Sequence, residues 1–302
     1  MITQPPIKHL STIHDITRTQ IESIIEEAFA FKYGKQVDLN RKIVAMIFEK
    51  PSLRTKVAFE VAATKLNAIP VFLTSEQILA SGQQQFGRES IPDIAKNLER
   101  MADLVIARVY SHDTIQQITQ SIHIPVINAL CDMHHPTQAL ADIMAMQWHK
   151  GDLTQLKVAF IGDGNNVSNS LMHICVKLGI TFAIASPPGY ELLHSSPTHG
   201  VTHYTDPVEA VQNADVVYTD TFISMGHETE IQDRLEVFAP YQVNAQLMQH
   251  AKPDAIFMHC LPAHRGEEVT DQVMDSDQSI VFDQAECRLH IAKALLANML
   301  GE

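Results

Sequence analysis

Apolar positions along the chain change period again and again. Thr17-Arg18-Thr19-Gln20 has the form of a capping box, and behind it Ile21, Ile24, Ile25, Ala28 and Phe29 recur at helical spacing. The period then collapses into Ile43-Val44-Ala45-Met46-Ile47-Phe48, a short unbroken apolar run that predicts a strand covered on both faces. The loop Glu49-Lys50-Pro51-Ser52 leads into a second helical pattern, marked by Leu53, Val57 and Val61. Val71-Phe72-Leu73 predicts the next strand. Ser90 reads as the N-cap of a helix with Ile94, Leu98 and Met101 on one face. Strands are predicted at Leu104 to Ala107 and Pro125 to Leu130, with Ile115 and Ile118 on a short helix between them. Pro136, acceptable in a first helical turn, opens a helix to about His149.

Lys150-Gly151-Asp152 marks a boundary, after which the alternation starts again. Strands are predicted at Lys157 to Ile161, Thr181 to Ala185, Val216 to Thr219, Ala255 to Met258 and Ser279 to Phe282, and a long helix from about Gln284 to Leu300 ends the chain. Strands alternating with helices imply parallel sheets with right-handed crossovers. The fold class is therefore α/β, with two doubly wound, Rossmann-like parallel-sheet domains. Ligands of such sheets bind beyond the carboxyl ends of the strands.

Composition narrows the function. At roughly 150 residues per domain, 302 residues suit two domains. Charged residues at 19% and hydrophobic residues at 45% exclude a disordered or collagenous chain. A net charge of −13 disfavours nucleic acid and anionic membranes as partners. An anionic ligand then needs a local basic pocket, so each arginine near a strand end matters. The four cysteines form no C-x-x-C pair, which suits reduced thiols. No apolar run approaches the ~18 residues of a membrane span, and the N-terminus lacks the marks of a signal or transit peptide. A cytoplasmic protein is expected.

Chemistry concentrates in the segments that follow the predicted strands. Ser52-Leu53-Arg54-Thr55, with Lys56, lies at a strand-loop-helix junction, where outward-pointing N–H groups attract an anion. Ser52 and Thr55 add hydroxyls, and Arg54 adds a planar fork suited to phosphate. A capped helix with a solvated basic turn fits the same residues. Arg108 ends one strand. In His134-His135-Pro136-Thr137-Gln138, His135 and Gln138 are spaced to face one point at a helix start; a helix cap with a satisfied histidine is the plainer alternative.

In the second series, Gly162-Asp163-Gly164-Asn165-Asn166 invites a dinucleotide reading. The third glycine of G-x-G-x-x-G is missing, and the next strand ends in Ala185-Ser186 where a ribose would want an acid. Asn165 and Asn166 instead offer neutral donors to a carboxylate. Asp220, with Ser224 in Asp220-Thr221-Phe222-Ile223-Ser224-Met225-Gly226, can hold an ammonium group. His259, Cys260 and His264 have poor spacing for tetrahedral zinc, so no metal is expected. Arg288 is unremarkable alone.

The segments FEKPSLRTK, LVIARVYSH, MHHPTQALAD, GDGNN, DTFISMG and MHCLPAHRGEEVT, in that order, resemble the aspartate/ornithine carbamoyltransferase family over nearly the whole chain. The S-M-G and H-C-L-P segments resemble its ornithine carbamoyltransferase branch. The resemblance implies a carbamoyl-phosphate domain at residues 1–134, with the C-terminal helix 285–302 returning to it. It implies an ornithine domain at 150–284 and a linking helix at 135–149. The implied reaction moves the carbamoyl group of carbamoyl phosphate to the δ-amine of L-ornithine, giving L-citrulline and phosphate in arginine metabolism. Carbamoyl phosphate is already activated, so no cofactor is implied. A homotrimer, or a multiple of trimers, with active sites at subunit interfaces is implied as well.

Carried over residue by residue, the resemblance gives Ser52, Arg54, Thr55 and the backbone N–H of Leu53 to the phosphate, with Arg288 adding charge. Arg108, His135 and Gln138 hold the carbamoyl group. Asn166, Asp220, Ser224 and the backbone of Met225 bind ornithine. Cys260 and the Leu261 carbonyl lie near the reacting amine, with Cys260 positioning it rather than attacking. Gln85 matches a loop that reaches into a neighbouring subunit's site. Leu53 stands where Thr is usual, Lys56 where Arg is, and Phe222 where Trp is; Ile94 and Lys96 replace a common Thr and Arg, and Ser75 to Gln84 is longer than usual. A carbamoyltransferase for a related amine, such as N-acetylornithine or putrescine, is the alternative. Those amines lack a free α-amine or an α-carboxylate, which would leave Asp220 with Ser224, or Asn166, without a purpose.

Overall fold

The computed structural model describes residues 7–74, 89–192, 199–223 and 231–301. Gln85, Ser224 and Met225 lie outside the described residues. The chain divides into two compact units, Met1–Ala141 with Cys287–Glu302, and Asp142–Glu286.

In the first unit, β1 (His9–Leu10), β2 (Ile43–Phe48), β3 (Ile69–Thr74), β4 (Leu104–Arg108) and β5 (Val126–Leu130) form a parallel sheet in the order β1-β5-β4-β2-β3. In the second, β6 (Lys157–Ile161), β7 (Thr181–Ala185), β8 (Val201–Tyr204), β9 (Val216–Thr219) and β10 (Ile256–His259) form another, in the order β10-β9-β6-β7-β8. Both sheets are doubly wound, as the alternating pattern predicts. The strands β4 and β5 are buried at every position, which explains the apolar run Leu104 to Ala107 and the apolar residues on either side of Asn128.

Strand order locates the crevices. In the first unit the chain runs from β2 out to β3 and then returns to β4 on the other side of β2, so the winding reverses between β2 and β4. In the second it runs from β6 through β7 and β8 before β9 pairs on the other side of β6. A crevice opens at the carboxyl ends of strands where winding reverses. The segments there are Ser52 to Thr55 and Arg108 in one unit, and Gly162 to Asn166 and Asp220 in the other.

Several elements differ from expectation. The helix Leu53–Lys65 buries Thr55, Ala58, Phe59, Ala62 and Ala63, whereas Leu53 is 74% exposed and Val57 47% exposed. Small alanines let a helix approach a sheet closely, so the bulkier stripe was the wrong guide to its inner face. Met101 falls beyond the end of the helix Ile91–Glu99 and is exposed. β1 and β8 were not predicted, being respectively very short and half exposed. The strand expected over Ser279 to Phe282 is a single parallel bridge between Phe257 and Ser279, followed at once by the helix Val281–Leu300. The capping boxes and caps hold: Thr17 and Gln20 bond reciprocally at 3.2 and 2.8 Å, and Ser90 caps its helix. No helix among the described residues is long and apolar enough to cross a membrane.

Candidate active site

The first crevice is built from three distant segments. Ser52 has extended backbone (φ −160°, ψ 119°), and its Oγ accepts from the Thr55 N–H at 3.3 Å, capping the helix Leu53–Lys65. The remaining first-turn N–H groups and the helix dipole favour an anion there. Thr55 is buried, and its hydroxyl accepts from Arg288 Nη2. Arg288 Nη1 donates to Gln138 Oε1 at 2.7 Å. Thr55, Gln138 and Arg288 thus converge from two helix starts and the final helix. Arg54 is half-buried on the same first turn as Thr55.

Arg108 arrives by an irregularity. The β4–β5 register shifts between Ala107 and Arg108, so Arg108 stands opposite Leu130 and is buried. Such a shift re-aims a side chain at a strand end. His135 is buried as well, with Nδ1 3.4 Å from Thr137 Oγ1. Burial above all, then the charges of Arg288 and Arg108, hold its pKa well below the ordinary 6.5. The ring is therefore neutral at pH 7. A neutral imidazole carries hydrogen on one nitrogen only, so His135 can act as a single hydrogen-bond donor.

A depressed histidine pKa has a stability consequence. Below its ordinary 6.5 the unfolded histidine takes up a proton that the folded one refuses. This contribution is present above 6.5 and is lost as pH falls toward the lower folded value. Denaturant titrations between pH 7 and pH 5 should show stability falling in the wild type, with a flatter profile in His135→Gln. Identical slopes would show that His135 accepts its proton in the folded state.

Two residues of this crevice escaped sequence reasoning. Lys50 is buried, and its Nζ lies 4.5 Å from the centroid of the Tyr110 ring. Burial, and then Arg108, lower its pKa. Glu49 Oε2 accepts from the Tyr110 N–H at 2.6 Å. Together they brace the segment after β2 against the segment after β4. In sequence, Glu49 and Lys50 read only as part of a loop that leads into the next helical pattern.

The second crevice is organised around Asp220, which is buried at the end of β9. Its Oδ2 accepts from Asn165 Nδ2 at 2.8 Å, and its Oδ1 accepts from the Cys260 thiol at 2.9 Å. Asn165 is the N-cap of the helix Asn166–Leu178, and its Oδ1 accepts from the N–H groups of Val167 and Ser168 at 2.9 and 3.1 Å. Its amide is thereby oriented. Asn166 is the first residue of that helix and is half-buried. The glycines here serve the backbone. Gly164 donates to the Tyr190 carbonyl at 2.9 Å, and a Cβ on it would collide with the Glu191 carbonyl. Gly162 has φ +135°, a conformation open to glycine. Close approach at Gly164 and positive φ at Gly162 explain this pair without a dinucleotide.

Phe222 anchors the Asp220 loop from within, buried and stacked on Phe238 with ring centroids 4.9 Å apart. Arg234 donates to the Phe222 carbonyl at 2.8 Å, pairs with Asp163 and lies over the Tyr190 and Phe238 rings. This brace, too, had no sequence signal.

Cys260 follows β10. His259 is buried, its Nδ1 accepting from the Leu261 N–H at 2.8 Å and its Nε2 facing Glu268 Oε1 at 3.2 Å. Leu261 has φ +60°, a strained conformation for a bulky residue, and the His259 bond helps to hold it. Ligand atoms of Asp220, His259 and Cys260 lie within 4.8 Å of one another. Hydrogen bonds already engage both His259 nitrogens and Asp220 Oδ1, so the cluster acts as a clamp on the thiol and the Leu261 backbone N–H.

The two crevices define a two-domain α/β enzyme, with Arg54, Arg108 and Arg288 gathered in one unit and a carboxylate–thiol pair in the other. Comparison with known proteins makes this specific. Residues 8–148 match the aspartate/ornithine carbamoyltransferase carbamoyl-P binding domain, and residues 154–299 match the Asp/Orn binding domain of the same family. The chain is 47% identical to an ornithine carbamoyltransferase of Bacillus subtilis, over 97% of this chain and 94% of that protein. It is 44% identical to an anabolic ornithine carbamoyltransferase of Pyrococcus furiosus, over 97% of this chain and 96% of that one. Among solved structures, ornithine carbamoyltransferase from Pyrococcus furiosus superposes with a TM-score of 0.91 at 44% identity, covering 99% of each chain. The enzyme from Thermus thermophilus gives 0.89 at 38% identity, covering 99% of this chain and 100% of that one. The chain belongs to the aspartate/ornithine carbamoyltransferase family.

Proposed function

We propose that the chain transfers the carbamoyl group of carbamoyl phosphate to the δ-amine of L-ornithine, yielding L-citrulline and phosphate for arginine synthesis. The observation that carries the reading is the convergence of Thr55, Gln138 and Arg288 beside buried Arg108 and neutral His135, in the unit whose family counterpart binds carbamoyl phosphate.

Ser52, the Leu53 N–H, Arg54, Thr55 and Arg288 hold the phosphate. Arg108, His135 and Gln138 hold the carbamoyl group. The δ-amine, with an ordinary pKa near ~10.4, must attack as the neutral form. Its nitrogen lone pair forms a bond to the carbonyl carbon, the carbon–oxygen bond to phosphate breaks with the electron pair going to the phosphate oxygen, and the nitrogen's proton passes to that departing phosphate. Negative charge builds on the carbonyl oxygen, where Arg108, His135 and Thr55 stabilise it. Arg54 and Arg288 stabilise the departing phosphate. On the acceptor side Asp220 holds an ammonium group, Asn166, Ser224 and the Met225 backbone complete recognition, and Cys260 with the Leu261 carbonyl orients the amine. Holding both substrates together supplies much of the rest of the acceleration.

Acceptor-dependent phosphate release from carbamoyl phosphate with L-ornithine, and none above background with N-acetylornithine or putrescine, is the expected assay result. Preference for either alternative would reassign the acceptor. Free thiols at Cys131, Cys175, Cys260 and Cys287 suit a reducing cytoplasm.

We further propose a homotrimer in which Gln85 completes a neighbour's site. Closed cyclic symmetry lets each subunit serve the next. Arg54→Ala and Gln85→Ala trimers should each be nearly inactive. Co-refolding the two should recover part of the activity, because some sites in a mixed trimer are wholly wild type. Inactive but verified mixed trimers would show that Gln85 acts within its own subunit or not at all.

A further inference from the structure

β10 is an edge strand, paired within the sheet only to β9. Its open side carries the N–H groups of Phe257 and His259, since alternate residues of a strand direct their backbone donors to the same side. Phe257 donates to the Gln278 carbonyl at 2.7 Å and accepts from the Ile280 N–H at 3.0 Å. A further strand residue would take the next bond, but the chain has already turned into the helix Val281–Leu300. The bond is made by a side chain instead. Gln284 Oε1 accepts from the His259 N–H at 2.9 Å.

The amide of Gln284 is held in that sense by its other end. Its Nε2 donates to Asp142 Oδ1 at 2.7 Å and to the Tyr218 hydroxyl at 3.0 Å. The Tyr218 hydroxyl donates in turn to Asp142 Oδ2 at 3.3 Å. All four residues are buried: Asp142 and Tyr218 are 0% exposed, Gln284 and His259 1%. Burial, then Asp142, push the Tyr218 pKa well above its ordinary 10, so the phenol keeps the proton it donates. A carboxylate and a phenol thus dictate which end of Gln284 faces His259. Tyr218 stands two residues before Asp220 on its strand, and His259 immediately precedes Cys260. The network joins the strand ends that deliver the Asp220–Cys260 pair.

We propose that Gln284, oriented by Asp142 and Tyr218, is a positioning residue for the acceptor amine: it replaces the missing strand at the edge of β10 and so fixes Cys260 and the Leu261 carbonyl against Asp220. This rests on the proposed ornithine reading of the second crevice.

A charge swap tests it. Gln284→Glu keeps the acceptor for His259 but sets one carboxylate against another. Asp142→Asn alone removes the charge that orients Gln284. In Asp142→Asn/Gln284→Glu the amide and the carboxylate exchange places, and donor and acceptor match again. For Gln284→Glu, kcat/KM for ornithine should fall about 10- to 100-fold, while carbamoyl phosphate affinity by calorimetry stays within about twofold. The double variant should return to within about threefold of wild type. A second readout does not depend on the acceptor. Cys260 is half-buried and the other three cysteines are buried, so iodoacetamide should label Cys260 first. Its labelling should quicken in Gln284→Glu and slow again in the double variant.

Unchanged ornithine kinetics and labelling in the single variants would overturn the proposal. So would equal loss of carbamoyl phosphate affinity, or a folded double variant that recovers neither readout. If the wild type fails to carbamoylate ornithine, the proposed function falls, and the labelling series still decides whether Gln284 fixes Cys260.

Discussion

Arg54→Ala should weaken carbamoyl phosphate binding by about 30- to 1,000-fold, the cost of removing a charge-assisted fork from a phosphate. Its melting temperature should barely move, because Arg54 is only half-buried on the outer turn of its helix. Arg288→Met should show the same loss of affinity together with a loss of stability. Arg288 is buried and donates to both Thr55 Oγ1 and Gln138 Oε1, so truncation leaves two buried acceptors without that donor. Each such group costs about 1–3 kcal/mol. Calorimetry and thermal melts on both variants separate the two roles. Carbamoyl phosphate affinity unchanged in Arg54→Ala would remove that residue from the pocket, whatever Arg288→Met does.

The contrast between the two arginines bears on what a sequence can reveal. Arg54 draws attention in the sequence because Ser52 and Thr55 stand beside it at a strand-to-helix junction. Arg288 was not legible from its surroundings, because Thr55 and Gln138 are joined to it only by the fold; family resemblance alone nominated it. The same division runs through the architecture. β2, β4 and β5 announce themselves because both their faces are covered, and the alternation they set up gives the doubly wound class. The half-exposed edge strand β8 carries no such run. Bulk misled on the helix Leu53–Lys65, whose inner face is alanine-rich. At Ser279 to Phe282 the pattern predicts a strand, whereas one bridge forms and Gln284 supplies the next edge bond from a helix. Side chains standing in for backbone leave no periodic trace. Nor do the Lys50–Tyr110 and Arg234–Asp163 braces, whose members are separated along the chain.

Asp220→Asn should weaken ornithine about 30- to 1,000-fold while leaving carbamoyl phosphate affinity nearly unchanged. The substitution keeps the shape and removes the charge that faces an ammonium group. It also disturbs the hydrogen bonds around it in a defined way. Both Asp220 oxygens are acceptors, one from the Cys260 thiol and one from Asn165 Nδ2. An asparagine can present an oxygen to only one of them. Asn165 cannot turn over in response, because its own oxygen caps the helix Asn166–Leu178 through Val167 and Ser168. The new NH2 therefore faces Cys260, whose thiol rotates its proton away and accepts instead. That rearrangement should cost about 1 kcal/mol of stability, much less than the lost charge takes from ligand affinity. Cys260→Ser, which retains a donor to Asp220, should raise the ornithine KM and lower kcat without abolishing turnover. The deciding measurement is a pair of titrations on Asp220→Asn, one with each substrate. If affinity for carbamoyl phosphate falls as far as affinity for ornithine, Asp220 is a structural residue of its loop and the ammonium site lies elsewhere.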